Sequence, residues 1–439
     1  MPIRDLLITL SILSVLPVCL FRPWVGVLMW SWLAYMNPHR LTWGFAHDLP
    51  FSQLVAVVTL VGFLFSGSRK PFLWTRETLV LGALWVWFAV TSAGAFYPDE
   101  AWKKFADMSK VLLMAVLVIP LFQDRQKLRI ILLVIAASLG FYGVKGGLFA
   151  LGTGGEFMVL GPPQTFFEAN TEVALVLNMA LPMLFYLAKE ETRRWLRLTL
   201  YGAFGLTLIA VPFTYSRGGL LGLLVVLVIL FVKARRRMML VPVMAVGAIA
   251  FLLLAPPQWL SRMQTLENVQ ADGSANLRFM SWQVALGIAQ DNPIFGGGFK
   301  VFVHRATYDI YMPEYPRAFG HDAHSIYFNL LGEHGWVGLG LFLTFVVMVL
   351  LKLYQIRRLA GTRPEIAWAG NYAHMLQASI ATYLVNGATL SAAYFDLAYQ
   401  LMILAPVIYA VAMQQLATET TESPAAAPAP VTAAAVRAG

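Results

Sequence analysis

An all-α polytopic membrane protein is the fold class this sequence predicts, and three observations predict it. Of the 439 residues, 59% are hydrophobic and only 13% are charged, with a mean hydropathy of +0.66, whereas a water-soluble domain is about 25% charged. The apolar residues form long unbroken runs, among them Leu79–Phe96, Val111–Phe122, Ile130–Phe149, Leu220–Val232 and Met239–Ala255. Unbroken runs suit helices in lipid, where every peptide group must be bonded inside its own segment; a barrel would show alternation. The basic residues, finally, fall mostly in short clusters between these runs.

Those clusters set the orientation. They are Arg69-Lys70 with Arg76; Arg125, Lys127 and Arg129; Lys189, Arg193, Arg194 and Arg197; Lys233 with Arg235-Arg236-Arg237; and Lys352, Arg357, Arg358 and Arg363. Lys and Arg accumulate in cytoplasmic loops, so all of them are expected inside. The formal charge of +9 then reflects loops beside anionic lipid, and no nucleic acid partner is implied. The outside segments fall at 37–50, 97–107, 150–170, 214–217, 256–325 and 386–397.

Residues 5–36 are read as one net crossing broken at Arg22-Pro23, which gives about 12 transmembrane helices with both termini inside. The first apolar run has no clear small-residue cleavage site and further spans follow it, so it is not read as a signal peptide. The expected organisation is an N-terminal transmembrane bundle at 1–255, one large outside loop with short helices at 256–325, C-terminal transmembrane helices at 326–417, and a disordered cytoplasmic tail at 418–439, rich in Ala, Pro, Thr and Glu. Cys19 is the only cysteine, which rules out an internal disulfide and a thiolate metal cluster.

Chemistry is expected on the outside. The segment Gly320-His321-Asp322-Ala323-His324-Ser325-Ile326-Tyr327 runs from the long loop into the next span. An imidazole at that boundary titrates near neutrality and can take a proton from a hydroxyl; Asp322 is placed to orient it. A capping or interfacial histidine is the plainer reading of His324. His321 and His334 are weaker candidates, and His334 reads as structural. The spacing His321-x-x-His324 lacks a matching ligand set, so no metal site is expected.

Arg217, in Thr214-Tyr215-Ser216-Arg217-Gly218-Gly219, lies at the outer mouth of two spans. A charge at the bilayer edge is a functional candidate, against the alternative of an arginine reaching for headgroups. Arg278 lies in an amphipathic stretch, 276–289, read as a surface helix capped by Ser274 or Asn276 and followed by a Gly-rich turn at 291–299. That turn lacks the ending of a P-loop. Guanidiniums converging on one outside pocket would suit a diphosphate, through forked charge-assisted bonds. Lys145-Gly146-Gly147, Gly161-Pro162-Pro163, Lys103 and Lys104 are further outside candidates for holding phosphate or sugar. Arg262, Lys300, Arg305 and Arg317 also break the charge bias within the long loop.

Three motifs in this order resemble the O-antigen ligase and polymerase superfamily, most closely the exosortase A-associated O-glycosylation ligases. They are Ser216-Arg217-Gly218-Gly219; Arg278…Trp282…Pro293…Gly296-x-Gly298; and His324-Ser325-x-Tyr327 followed by Glu333-x-Gly335-x-x-Gly338. Asn37-Pro38-His39-Arg40-Leu41-Thr42-Trp43-Gly44 and the Lys145 to Pro163 region are similar to the exosortase-associated branch. Relatives often carry Asn where this chain has Ser325, which removes an amide from that position.

The resemblance implies a metal-independent, cofactor-free glycosyltransferase of the GT-C type in the bacterial inner membrane. It implies transfer of a glycan from undecaprenyl diphosphate to lipid A-core or another hydroxyl acceptor on the periplasmic face. It also implies that His324 is the base, that Arg217, Arg278 and Lys145 grip the diphosphate, and that Asp322, His321, Ser325 and Tyr327 support them. A polymerase of the same superfamily is the alternative. A transporter would place Lys110, Lys145, His374 and Asp396 near the midplane. A structural scaffold would leave the outside arginines without a reason.

Overall fold

Pro23 ends any continuous path through the first apolar stretch. Proline cannot donate within a helix but is well placed at its first position, so α1 (Ile3–Phe21) stops and α2 (Pro23–Met36) begins. The computed structural model describes residues 3–67, 69–233, 255–264, 273–313 and 321–422, with 241, 242, 245 and 251. Arg235–Arg237, Arg317, Gly320 and the last part of the tail, 423–439, lie outside the described residues, as does the side chain of Arg262.

After α2 come α3 (Phe51–Phe65), α4 (Arg76–Ala93), α5 (Pro98–Leu121), α6 (Arg125–Gly152), α7 (Asn170–Glu190), α8 (Arg194–Ala210) and α9 (Arg217–Lys233). The long loop contributes α10 (Pro257–Gln264), α11 (Gly273–Asp291) and the short α12 (Arg305–Tyr311). The chain ends in α13 (Ile326–Thr362), α14 (Ala367–Gly387) and α15 (Asp396–Glu422). Five of the described helices are long and apolar enough to cross a membrane: α1, α6, α7, α13 and α15. The chain is therefore an all-helical, multi-pass membrane protein.

Among the described residues, members of the basic clusters gather on one face. Lys70 Nζ donates to the Gln123 carbonyl at 2.8 Å, Arg129 pairs with Glu191, Lys189 donates to Asn371 at 3.0 Å, and Lys352 lies 3.5 Å from Glu77. Arg125 stands over the Trp368 ring at 5.2 Å. The segments expected outside meet on the opposite face. Arg40 donates to Gln164 at 2.8 Å, Asn170 to the Thr214 carbonyl at 3.0 Å, and the Phe96 N–H to the Gly297 carbonyl at 2.9 Å. Phe166 stacks on Phe395 with centroids 4.4 Å apart.

The path of residues 5–36 is corrected. Asp5 Oδ1 accepts from the Ala46 N–H at 2.8 Å, which puts the start of α1 on the face opposite the basic loops. Lys127 stands over the Trp24 ring at 5.5 Å, which puts the start of α2 on the basic face. The two helices form an antiparallel hairpin, so α1 starts on the face opposite the basic loops and not on the basic face. The C-terminal end stays on it, where Trp368 donates to Gln415 at 3.0 Å.

Two further expectations shift. Residues 98–107 are helical and not a loop, because Pro98 at the first position and Asp99 and Glu100 in the first turn start α5 early. Asn276 lies inside α11, which starts at Gly273.

α7 and α15 run through the centre of the bundle; Leu397–Ile408 is buried without a break. α1, by contrast, exposes Leu6, Leu7, Leu10 and Leu13 along its length. Small residues let neighbours close, as expected where lipid gives no hydrophobic drive between helices: a Cβ on Gly147 would stand 2.2 Å from the Leu206 carbonyl oxygen. The Gly146-Gly147 pair thus serves α6–α8 packing.

α13 breaks at Gly335, with φ +66° and ψ −173°, a conformation open only to glycine. The Gly-rich turn fits into that break. The N–H groups of Gly297 and Gly298 donate to the carbonyls of Gly332 and Glu333, both at 2.8 Å, and the Trp336 N–H donates to Pro293 at 2.8 Å. This docking carries α11, and with it Arg278, onto the mouth of α13.

Candidate functional site

His324 sits at the entry to α13 with φ +46°. Histidine is among the few side chains that visit this region, and an outlier of this kind often marks function. Its backbone N–H donates to Ser391 Oγ at 3.1 Å, and Ser391 Oγ lies 3.5 Å from His324 Nδ1. Burial, then the charge of Arg278, holds the imidazole below its ordinary pKa; Asp322 and Glu172 oppose this and His321 adds to it. His324 is therefore neutral at neutral pH, the form a base requires. The same interactions put Arg278, Asp322, Glu172 and His321 within electrostatic reach of one ring.

The loop helices hold this segment from the other side. Trp282 Nε1 donates to the Ala323 carbonyl at 2.8 Å, and its ring stacks on Phe328 with centroids 4.8 Å apart. The Tyr308 hydroxyl donates to the His321 carbonyl at 2.8 Å. A small core of Val284, Ala285, Ile288, Val301, Phe302, Tyr308 and Ala323 packs beneath. Arg278 and Trp282, one helical turn apart, thus present charge and anchor from the same helix.

Arg217 opens α9. Ser216 caps the helix, its Oγ accepting from the Gly219 N–H at 3.0 Å. A cation at a helix N-terminus works against the helix dipole; backbone N–H groups and a guanidinium together favour an anion. Gly218 and Gly219 are spaced for packing. A Cβ on Gly219 would meet Ala174 at 2.6 Å, and one on Gly218 would meet Thr389 Oγ1 at 3.0 Å.

The turn after α14 is where these parts meet. Thr389 touches the start of α9, Ser391 touches His324, and Gly387 lies against Ile326. Asn170, two residues before Glu172, is bonded to the Thr214 carbonyl just ahead of Arg217. The start of α9, at Arg217, and His324, with Arg278, Asp322 and His321 in electrostatic reach of its ring, therefore adjoin one turn.

Ser325 is 1% exposed and its Oγ has no hydrogen-bond partner. Tyr327 donates to the Leu384 carbonyl at 3.0 Å, which ties α13 to α14. Lys145 lines a cavity with Arg4 and Arg40. Lys104 lies over the Tyr394 ring at 5.6 Å.

His334 is structural, as its position suggested. Tyr394 donates its hydroxyl to Glu333, so its oxygen is free to accept from His334 Nε2 at 2.9 Å. His334 Nδ1 is then the acceptor facing Thr91 Oγ1 at 2.6 Å. Glu333 Oε1 also accepts from the Lys300 N–H at 2.8 Å. This buried network, with every partner in hand, locks the Gly-rich turn to α13.

Sequence reasoning missed Glu172 and Ser391. Each is an ordinary residue at a helix entrance or turn, and only the packing of α14 against both α7 and α13 brings them to His324. Among the described residues, no three His, Cys, Asp or Glu side chains come together as a metal-ligand set.

Comparison with known families falls on the same elements. Residues 3–192 match a family of unknown function (DUF5935). No curated protein matches the chain. Residues 202–343 match the family described as O-Antigen ligase, a span that contains Arg217, Arg278 and His324 and supports the O-antigen ligase superfamily for this chain.

Proposed function

We propose that this protein is a membrane glycosyltransferase. It moves a preassembled glycan from undecaprenyl diphosphate to a hydroxyl acceptor such as lipid A-core, on the periplasmic side of the bacterial inner membrane. The observation that supports this is that His324, with Arg278 in electrostatic reach of its ring, adjoins the 387–391 turn, and that the start of α9, at Arg217, packs against the same turn.

The acceptor hydroxyl gives its proton to His324 as its oxygen bonds to the anomeric carbon. The carbon–oxygen bond to the diphosphate breaks, and its electron pair leaves with the diphosphate. Arg217, Arg278 and the α9 N-terminus take up the growing negative charge. Attack from the face opposite the leaving group inverts the anomeric carbon. A diphosphate is already a good leaving group, so this scheme calls on no metal and no cofactor.

A transporter would need ionisable residues near the midplane; Lys110, Lys145, His374 and Asp396 are the ones to weigh. Lys110 pairs with Asp107 at 2.9 Å on an exposed side of α5. Asp396 begins α15, and His374 lies within reach of Lys189, Lys233 and Arg357.

The test is to incubate the purified protein with undecaprenyl-diphosphate glycan and candidate acceptors, with and without chelator. Glycan transfer that survives the chelator supports the proposal; absence of transfer to any hydroxyl acceptor rejects it. Deletion in cells separates ligase from polymerase. Long lipid-linked chains accumulate without a ligase, and single repeats accumulate without a polymerase.

A further inference from the structure

The N-terminal half carries a charged cavity, remote in sequence from Arg217 and His324. It measures about 900 Å³ and lies between the start of α1, the end of α2 and the outer part of α6. Arg4, Arg40 and Lys145 bring positive charge to its wall, with His47 beside them. Asp48 is the one carboxylate among the lining residues and is 81% exposed, bonded to Arg40 at 3.0 Å. Asp5, one residue from Arg4, turns into the fold to accept from Ala46. Arg4 lies over the Trp43 ring at 4.7 Å, and Trp43 itself is 82% exposed, the position of an aromatic residue at a membrane interface.

Beneath this chamber lies an apolar groove of about 420 Å³ between α1, α2 and α6. The two share Trp32, Met36 and Phe141 as common walls. The groove continues past Leu28 to Val25 on α2, and past Ala137 to Val134 on α6. At 1.5 Å per residue, the stretch from Met36 to Val25 covers roughly 17 Å, about half of a hydrocarbon core of ~30 Å. The shape is a cationic head chamber over a hydrocarbon slot one leaflet deep.

We propose that this is a binding site for an anionic phospholipid of the surrounding bilayer. Its phosphate is held by Arg4, Arg40 and Lys145, and an acyl chain lies in the groove between α2 and α6. Basic pockets between transmembrane helices take phospholipid headgroups in this way. The depth of one leaflet favours an acyl chain over a polyprenyl chain, which is several times longer. Lys145 thus belongs to a site in the segment that matches a family of unknown function. The inference uses none of Arg217, Arg278 or His324 and stands independently of the proposed reaction.

Native mass spectrometry of the delipidated full-length protein tests it, with phosphatidylglycerol, phosphatidylcholine and inorganic phosphate as separate probes. One phosphatidylglycerol is expected to be retained at energies that strip phosphatidylcholine. R4Q and K145Q are each expected to weaken retention roughly fivefold, the effect of one cation near a phosphate headgroup. A137F fills the groove from an exposed position and is expected to abolish retention while all three cationic side chains remain. Equal retention of phosphatidylcholine overturns the charge requirement. Competition by inorganic phosphate as effective as the lipid itself overturns the lipid. Retention unchanged in K145Q and in A137F overturns the site.

Discussion

Replacing Arg278 with Gln separates two effects that the structure assigns to one side chain. As a guanidinium on the wall of the site, Arg278 is predicted to stabilise the departing diphosphate. Loss of one such donor costs about 10²–10³ in kcat, or about 3–4 kcal/mol. Its charge also helps hold the His324 pKa below the ordinary histidine value, second only to burial. Protonation inactivates the base, so a lowered pKa keeps the enzyme active to lower pH. Removing Arg278 raises that pKa, and the acid limb of the profile moves toward higher pH. Arg278→Lys keeps the charge and therefore the limb, but loses the planar fork and part of the rate. The assay is kcat/KM for transfer from a purified lipid-linked donor, measured across the acid limb for the three proteins. A Gln variant with an unmoved limb and an undiminished plateau would refute the reasoning on both counts.

Other perturbations reach other parts of the account. Arg217→Ala should lower kcat by about 10²-fold, with the acid limb left in place; a full-rate variant in the purified assay argues against its role. Ser391→Ala removes the acceptor of the His324 N–H, worth about 1 kcal/mol; transfer should slow several-fold with donor affinity unchanged, which a kcat and KM comparison checks. Gly335→Ala places a Cβ 2.3 Å from the Ile294 carbonyl oxygen at φ +66°. The strain and overpacking together cost roughly 2–6 kcal/mol, to be read as a lowered melting temperature in detergent. Cysteines placed at Arg4 and Trp43 should react with an impermeant thiol reagent from one side of the membrane, and one at Arg22 from the other; Cys19 is buried and gives little background.

Much of the fold was legible because lipid imposes simple rules. The apolar runs at 79–96, 130–149 and 220–232 correspond to α4, α6 and α9, and the described members of the basic clusters share one face. The first hairpin is hard to read from the sequence because α2 has only 14 residues, short by the measure of a lipid core. Its turn is marked by no more than Arg22 and Pro23. Arg217 could be singled out as a candidate because a charge at a membrane boundary is costly, and His324 because an imidazole there can take a proton from a hydroxyl. Glu172 and Ser391 could not be, since nothing in their own segments distinguishes them from helix-entry residues. The Gly-rich turn was visible as a turn, but its fit into the Gly335 break depends on contacts between distant segments that no local pattern encodes. Lys145 was legible as a cation near the outer end of a span, but the cavity it lines with Arg4 and Arg40 is built from three helices distant in sequence.

The most direct measurement is single-turnover glycan transfer by purified His324→Ala protein saturated with lipid-linked donor, with donor binding followed separately. The account predicts that the donor binds as before while transfer falls by about 10²–10⁴-fold, the contribution of a positioned base. Transfer at the unaltered rate would contradict it.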